Sequence, residues 1–495
     1  MIEVAEHVIN IDMATEDVFA FAADLDNTPR WFPGIAKMES ADALPPASVG
    51  KRYDEVARIP FRGETRIEIE VVESRADRHI AIHADLAPVL PRFDLYCVPR
   101  EDGSTDVRCR CRARGTTRVA GIATRVMKLV LDRRVPQALR NLKTLLEVAP
   151  HMRAVMAREF GAAERSLYLD PNASMPAIGK RDVLVRVAAS SVNPIDCMRR
   201  AGYGRRLFGL RGAATLPLLL GRDFVGEVVA RGAKADRYQT GDLVWGAVDA
   251  FRDGAWAEYV AVAQDHVAPR PASLGDIEAA SIPYVALTTW AALVGRAGLT
   301  SENAAGKNVL VHAGSGGVGS FAIQLLTAWG AQVATTCSTR NVGLVKELGA
   351  SRVIDYTQER YQDLLRDMDL VFDTLGFDEE GPSLSVLARD AGAQYVSIVH
   401  PLVETFDRLG PILGALVSAG TYLSRKFRER RLGRGYHWAL FSPNGAALER
   451  IGALVDEGRI RPVIDRTFSF DDMIAAHELV ESRRARGKVV IRVEE

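Results

Sequence analysis

Asn308-Val-Leu-Val-His312 reads as a buried strand that leads directly into Ala313-Gly-Ser-Gly-Gly-Val-Gly-Ser320, with helical residues following over 321–329. Gly314, Gly316 and Gly319 thus stand in G-x-G-x-x-G spacing between a strand and a helix, the context this spacing needs. With no side chains in the way, backbone N–H groups can close on a pyrophosphate, and the helix N-terminus adds partial positive charge to hold it. Dinucleotide binding is therefore predicted, with Ser315, Gly317 and Val318 in the same turn. After the next strand, 332–336, comes Cys337-Ser-Thr-Arg340, where an NAD site would present a carboxylate to the ribose 2′-hydroxyl. The hydroxyl of Ser338 and the guanidinium of Arg340 suit a 2′-phosphate, which a carboxylate would repel, so NADPH is expected over NADH.

Such a turn must be held by alternating strands and helices, and 495 residues suffice for about three folding units. At 47% apolar and 25% charged residues, the composition is that of a soluble globular protein. Lysine plus arginine equals aspartate plus glutamate, 63 each, which argues against nucleic acid as a partner. Cys97, Cys109, Cys111, Cys197 and Cys337 are scattered, in no C-x-x-C pair, which fits a reducing, cytoplasmic setting. The first twelve residues are acidic and strand-like, without the pattern of a signal or transit peptide. The longest apolar runs, 216–220 and 412–417, fall well short of the roughly 20 residues a membrane span needs.

Residues 1 to about 148 read as one unit. A strand over 4–11 precedes a helix that Thr15 is expected to cap. Period-two patterns at 66–72, 79–86 and 107–113 suggest an antiparallel meander. Val126, Leu129, Val130, Val135, Leu139, Leu142, Leu145 and Leu146 at helical spacing predict one long helix over 122–148, with a kink at Pro136. In 107–113, Val107, Cys109 and Cys111 fall on one strand face and Arg108, Arg110 and Arg112 on the other, giving buried thiols and a solvated arginine face rather than a metal site. No His/Asp couple or carboxylate pair stands out as catalytic. This order, with Trp31 and Phe32 after the first helix, resembles the START-like polyketide-cyclase family of helix-grip folds. The resemblance implies an apolar cavity for a lipid, polyketide or quinone; the other reading is that the same residues fill a plain core.

Ala149-Pro150 interrupts the helical pattern and Met152 opens a fresh strand, placing a boundary near residue 150. Asn193-Pro-Ile-Asp196, Gly221-Arg-Asp-Phe-Val-Gly226, Gly241-Asp-Leu-Val, Ala286-Leu-Thr288, the glycine-rich turn, Leu348-Gly-Ala350 and Arg486-Gly-Lys488-Val follow in order through 152–495. Together they resemble the landmarks of zinc-free medium-chain reductases of the quinone oxidoreductase type. Asp407-Arg-Leu-Gly410, Tyr436-His-Trp-Ala-Leu-Phe441 and Gly458-Arg-Ile-Arg-Pro-Val463 are most similar to the reticulon-interacting mitochondrial NADPH oxidoreductase family, which is linked to coenzyme Q metabolism. The expected fold class is multidomain α/β. A START-like helix-grip α+β domain (1–148) precedes a GroES-like β domain (152–285), which is interrupted by a doubly wound Rossmann domain (286–430) and resumes over 431–495.

By this resemblance, cofactor contacts would fall on Ser315, Gly316, Gly317, Val318, Ser338, Tyr356, Thr374, Ala439, Phe441, Arg484, Ala485 and Arg486; the related family has histidine at the position of Arg484. Zinc alcohol dehydrogenases have cysteine where Asn193 stands and a His-Glu pair where Arg222-Asp223 stand, so no catalytic zinc is expected. Reduction must then rely on hydride position and hydrogen-bond donors. Asn193, Asp196, Tyr203 and Thr288 are the catalytic candidates: Asn193 as an amide donor, Thr288 to orient substrate, Tyr203 as a proton source. The basic run Arg425–Arg434 after apolar 412–423 reads first as a solvated helix face, with peripheral contact with an anionic membrane as the other reading. The implied function is NADPH-dependent hydride transfer to a hydrophobic quinone or α,β-unsaturated carbonyl, with the N-terminal domain binding a lipid-like ligand. Two alternatives stay open: an NADPH-sensing binding protein with little turnover, and a polyketide enoyl reductase fused to a cyclase-like domain. Many members of the superfamily are homo-oligomers, but no residue pattern here marks an interface.

Overall fold

The computed structural model describes residues 2–33, 35–59, 63–115, 120–147, 151–389 and 392–494; the Ala149-Pro150 break lies outside them. The chain divides into two compact units, Met1–Pro150 and His151–Glu495.

In the first unit, β1 (Ile2–Ile11), β2 (Ile35–Ser40), β3 (Arg52–Ile59), β4 (Gly63–Arg75), β5 (His79–Ala84), β6 (Val89–Pro99) and β7 (Thr105–Gly115) form one antiparallel sheet in the order β1-β7-β6-β5-β4-β3-β2. The helix Ala120–Glu147, with Pro136 inside it, contributes Leu131, Val135, Ala138, Leu139 and Leu142 to the core shared with Ile69, Val71, Val107 and Cys111. Leu129 does not join them and is 63% exposed, because at 3.6 residues per turn it lies roughly 120° around the helix from Val135. Thr15 does not cap its helix. Ala14 holds that place, and the Thr15 hydroxyl instead shares a 2.9 Å hydrogen bond with Thr105 Oγ1.

Strands β2, β3 and β6 carry no readable alternation. β6 is interrupted by Pro91 and Asp94, and β3 turns a carboxylate, Glu55, to the same buried side as Tyr53 and Ala57. On β7 the cysteine face is buried as expected, and the arginine face, with Arg108 exposed and Arg110 and Arg112 half-buried, carries an ion-pair network. Arg110 binds Glu3, and Arg112 donates to Asp94 at 2.8 Å. Asp94 also accepts from Arg92 (2.9 Å) and lies 3.2 Å from His79 Nε2, a His–Asp couple formed by residues on neighbouring strands that no local motif marks.

In the second unit, β8 (His151–Ala157), β9 (Leu167–Ser174) and β11 (Leu218–Leu219) make a small sheet. A larger one runs β15-β13-β12-β10-β23-β22, with β14 also on β10. Its strands are β10 (Asp182–Val192), β12 (Asp223–Arg231), β13 (Leu243–Ala247), β14 (Tyr259–Ala263), β15 (Val267–Pro269), β22 (Ile464–Ser469) and β23 (Lys488–Arg492). Between β15 and β22 the chain builds a parallel sheet from β16 (Asn308–Val311), β17 (Gln332–Cys337), β18 (Arg352–Asp355), β19 (Leu370–Asp373), β20 (Gln394–Ser397) and β21 (Gly435–Trp438), ordered β18-β17-β16-β19-β20-β21. This is the doubly wound order, whose crevice at the carboxyl ends of the central strands is where dinucleotides bind. β21 pairs with β20 in parallel, so the chain leaves the nucleotide-type sheet after Trp438 rather than at 431 and rejoins the larger sheet, that of β10 and β23, with β22.

The stretch Asp276–Arg296 is long and apolar enough to cross a bilayer, although no single apolar run stands out in it. It is 67% buried in the core, where Val285, Ala286, Leu287, Ala292 and Leu293 pack against Phe321 and Ile323. Burying a side chain of this size contributes about 1.5–3 kcal/mol, and that accounts for its apolar composition.

Candidate active site

The glycine-rich turn leaves β16 at the switch point and opens the helix Gly317–Ala328. Each glycine has a separate steric reason. A Cβ on Gly314 would stand 2.1 Å from Thr335 Oγ1, and one on Gly319 would stand 2.3 Å from the Ala313 carbonyl oxygen; the nearest atom to one on Gly316 is 3.4 Å away. Gly314 and Gly319 therefore let the turn close on itself, and Gly316 leaves its outer face open. Ala313 takes a positive φ of 50° to make the turn. The N–H groups of Gly317 and Val318 begin the helix and donate to no backbone acceptor among the described residues, as a pyrophosphate cradle requires.

The carboxyl-terminal segment docks against this turn. Gly487 N–H donates to the Ser315 carbonyl at 2.8 Å, and Gly316 bridges Gly487 in parallel. At the end of β17, Asn341 Nδ2 donates to Ser315 Oγ (3.0 Å) and Ser338 Oγ (3.2 Å), tying together two expected contacts through a residue that neither motif contains. Arg340 donates to the Arg484 carbonyl at 2.5 Å, and Arg486 donates to the Arg340 carbonyl at 2.9 Å. The guanidinium groups of Arg340 and Arg486, both on exposed residues, are thus tied to the main chain of Arg484 and Arg340, the latter two positions on from Ser338. Thr374 donates to the His312 carbonyl at 2.9 Å, Phe441 packs 4.6 Å from the Tyr284 ring, Ala439 is buried beside β20, and Tyr356 is exposed.

Next to the turn lies a buried polar cluster centred on Asp223. Its Oδ2 accepts from Lys488 Nζ (3.0 Å), from Asn193 Nδ2 (2.9 Å) and from the Ser191 hydroxyl, while Oδ1 accepts from Tyr284 N–H at 2.6 Å. Lys488 also donates to Asn193 Oδ1, and its chain passes the glycine turn so closely that a Cβ on Gly317 would stand 2.9 Å from Lys488 Cδ. Lys488 thus spans from the cradle to Asn193. Its landmark, Arg486-Gly-Lys488, is visible in sequence, but its role is not.

Asp196 closes the helix start by accepting from Asn193 N–H at 3.0 Å. Its carboxyl is pushed up to about 6, because burial outweighs the Arg222 guanidinium 3.9 Å away. Arg222 donates to the Asp249 carbonyl at 2.7 Å, and burial in turn pulls its own pKa down.

Two candidates stand elsewhere or are otherwise engaged. The Thr288 hydroxyl donates to the Tyr284 carbonyl one turn back in its helix at 2.7 Å, the usual resting place of a buried helical threonine. Tyr203 is pushed up to about 12 by burial and by nearby Asp407 and Glu404, which makes it a poorer acid than free tyrosine. Asp407 is itself occupied, accepting from the N–H groups of Gly204 (2.5 Å) and Arg206 (2.9 Å). Tyr203→Phe should leave the turnover number within about threefold of wild type, measured under saturating substrate; an essential general acid would cost roughly 100-fold or more.

A zinc ion does not fit these residues. Where the resemblance puts a cysteine and a His-Glu pair there are an amide, a guanidinium and a carboxylate, and the carboxylate already neutralises the Lys488 ammonium. No group of three or more His, Cys, Asp or Glu placed to hold a metal occurs among the described residues.

Comparison with known proteins agrees with this geometry. Residues 179–272 match the alcohol dehydrogenase GroES-like domain, residues 348–491 the zinc-binding dehydrogenase family, and residues 1–147 the family described as polyketide cyclase / dehydrase and lipid transport. NAD(P)H oxidoreductase RTN4IP1, mitochondrial, of Danio rerio is 40% identical over 336 residues, 66% of this chain and 87% of that protein. The chain belongs to the RTN4IP1 NAD(P)H oxidoreductase family. The Homo sapiens member of this family is 38% identical, over 72% of this chain and 93% of its own length. Among solved structures, a quinone oxidoreductase from Coxiella burnetii shares 32% identity at a TM-score of 0.59, covering 70% of this chain and all of its own. A 2-methylene-furan-3-one reductase of Solanum lycopersicum is 32% identical over 70% of this chain and 81% of its own. This chain is therefore an oxidoreductase of the RTN4IP1 family that uses a nicotinamide cofactor, with an additional polyketide-cyclase-type domain at its N-terminus. The expected cytoplasmic setting is overturned, since the Danio, Mus, Homo and Bos members are mitochondrial by name. Scattered free cysteines are as compatible with one reducing compartment as with another.

Proposed function

We propose that the second unit uses NADPH to reduce a hydrophobic quinone or an α,β-unsaturated carbonyl, and that the first unit binds an apolar ligand. The observation that carries the reading is Lys488. It joins the dinucleotide cradle to Asn193 and Asp223 at a site whose donor set suits no zinc. Bound NADPH would supply the hydride, held by the turn at Gly316–Val318 and by the Ser338–Arg340 corner. The residues around the cradle orient and desolvate the acceptor, and the Lys488–Asp223 pair fixes the Asn193 amide beside it. A conjugated carbonyl or quinone is electrophilic enough to accept hydride without a Lewis acid, and two relatives carry names of that chemistry.

The test is NADPH consumption by the full chain against quinones of graded tail length, enones and enoyl thioesters. Turnover with quinones or enones is expected. Retention of NADPH with turnover on none of them would favour the sensing alternative, and turnover on the thioesters alone would favour the polyketide alternative. Arg340→Ala should raise the KM for NADPH about tenfold and leave that for NADH unchanged, since a charge-assisted hydrogen bond is worth about 1.5–3 kcal/mol. An equal rise for both cofactors would remove Arg340 from the 2′-phosphate.

Peripheral membrane contact is proposed on a narrower basis than the basic run alone. Arg425 binds Glu380, and Arg434 donates to the carbonyls of Leu384, Leu387 and Ala388, so neither is available to lipid. On the helix Pro411–Arg431, however, Ile412, Leu413, Leu416, Leu423 and Phe427 are each more than half exposed, and Lys426, Arg430 and Arg431 are exposed as well. An apolar stripe beside exposed cations suits an anionic bilayer. Salt-sensitive co-sedimentation with phosphatidylserine vesicles is expected, reduced at least about fivefold in Leu416→Ser/Phe427→Ser because each buried side chain adds about 1.5 kcal/mol or more. Wild-type protein that stays in the supernatant at low salt would exclude the contact.

A further inference from the structure

The first unit encloses a cavity of about 370 Å³ between the sheet and the long helix, within the range that takes small-molecule ligands. Its walls are largely apolar, with Ile67, Ile69, Ile80 and Leu131 among them, and of the three carboxyl or guanidinium side chains in the lining Asp94 is paired with Arg92 and Arg112, and Arg134 is also engaged, which leaves Glu55. Glu55, on β3, lines the cavity at 9% exposure and makes no hydrogen bond or ion pair among the described residues. Strand alternation puts it between Tyr53 and Ala57 on the buried side, where an apolar residue would normally stand. Two further polar atoms of the lining, Trp31 Nε1 and Thr28 Oγ1, are buried without a hydrogen-bond partner.

An unmatched carboxyl in an apolar cavity costs stability, about 1–3 kcal/mol. A ligand that supplies its partner recovers that cost. We infer that the cavity takes an apolar molecule with a single hydroxyl head, a phenol, and that the Glu55 carboxyl accepts the hydrogen bond from that hydroxyl. An ammonium head is the weaker fit, because it would carry a full charge into an apolar enclosure. Burial alone pushes the Glu55 carboxyl up to about 7, in keeping with a group that meets a neutral partner. The inference rests on the proposal that the first unit is a ligand-binding domain and adds what reads the head group.

The experiment uses the full chain and three probes sharing one tail: 4-nonylphenol, nonylbenzene and 4-nonylbenzylamine, titrated by calorimetry. The phenol should bind about tenfold tighter than the hydrocarbon, the equivalent of one hydrogen bond to a buried carboxyl. Glu55→Leu should abolish that preference by weakening the phenol alone, and Glu55→Gln, which retains an acceptor, should keep part of it. Cooperative melting of the first unit at a midpoint no lower than wild type would show both variants to be folded. Equal wild-type affinity for phenol and hydrocarbon, or an unaltered phenol affinity in Glu55→Leu, overturns the role of Glu55 and leaves the cavity as an unselective apolar site. Tighter binding of the amine overturns the hydroxyl assignment. If no probe binds and Ala84→Phe, which fills the cavity, changes nothing, the ligand-binding reading of the first unit itself fails.

Discussion

Gly319→Val is expected to remove measurable NADPH binding, a loss of about 100-fold or more by fluorescence titration. The Cβ alone would lie 2.3 Å from the Ala313 carbonyl oxygen and 2.7 Å from Gly314 Cα, and both are backbone atoms that no rotamer change can move aside. The turn must open, and the N–H groups of Gly317 and Val318 then lose their common focus. A loss of about 2.7 kcal/mol corresponds to this factor, which is within what two or three charge-assisted bonds to a pyrophosphate supply. Gly316→Ala is the control. Its nearest neighbour would be 3.4 Å away, so the turn should survive and binding should fall less, through crowding of the open face alone. Equal losses in the two variants would mean that closing the turn is not what positions the cofactor.

Lys488→Met should lower the stability of the second unit by about 3–5 kcal/mol, because it leaves the Asp223 carboxylate buried without its cation. Asp223 is fully buried, and three neutral donors, from Ser191, Asn193 and Tyr284, would remain to it. Asp223→Leu should cost a similar amount by stranding the ammonium. The double variant Lys488→Met/Asp223→Leu should recover at least half of either loss, since removing both charges together leaves no ion to desolvate. Denaturant midpoints of the four proteins measure this. Additive losses in the double variant would show that the pair is not coupled. Turnover should not recover with stability: the double variant folds but no longer holds the Asn193 amide in place.

The glycine turn and the Ser338–Arg340 corner are legible in the amino-acid order, because each is a local run in which chemistry and backbone demand coincide within a few residues. The strand-turn-helix order around Gly314 admits few other uses. The same holds for the buried thiol face of β7, where period-two alternation is enough. Thr288 and Tyr203 show what residue order leaves open: type and position suggest a hydroxyl near substrate, but the setting of a hydroxyl depends on its neighbours. A helical threonine can satisfy itself one turn back, and Tyr203 shares its surroundings with Asp407 and Glu404, which are distant in sequence. Leu129 departs for a smaller reason, a wrong phase on an otherwise correct helix.

From its residue order alone, the chain determined a doubly wound nucleotide fold, a nicotinamide cofactor and a second fold ahead of it. Tertiary structure decided which charges meet. Lys488 reaches Asn193 across 295 positions and Asp223 across 265, and Glu55 becomes exceptional only once a cavity surrounds it. Local patterns follow from backbone geometry that repeats every two or four residues, whereas the environment of a buried charge is set by strands that pair from opposite ends of the chain, and no short-range periodicity encodes that pairing.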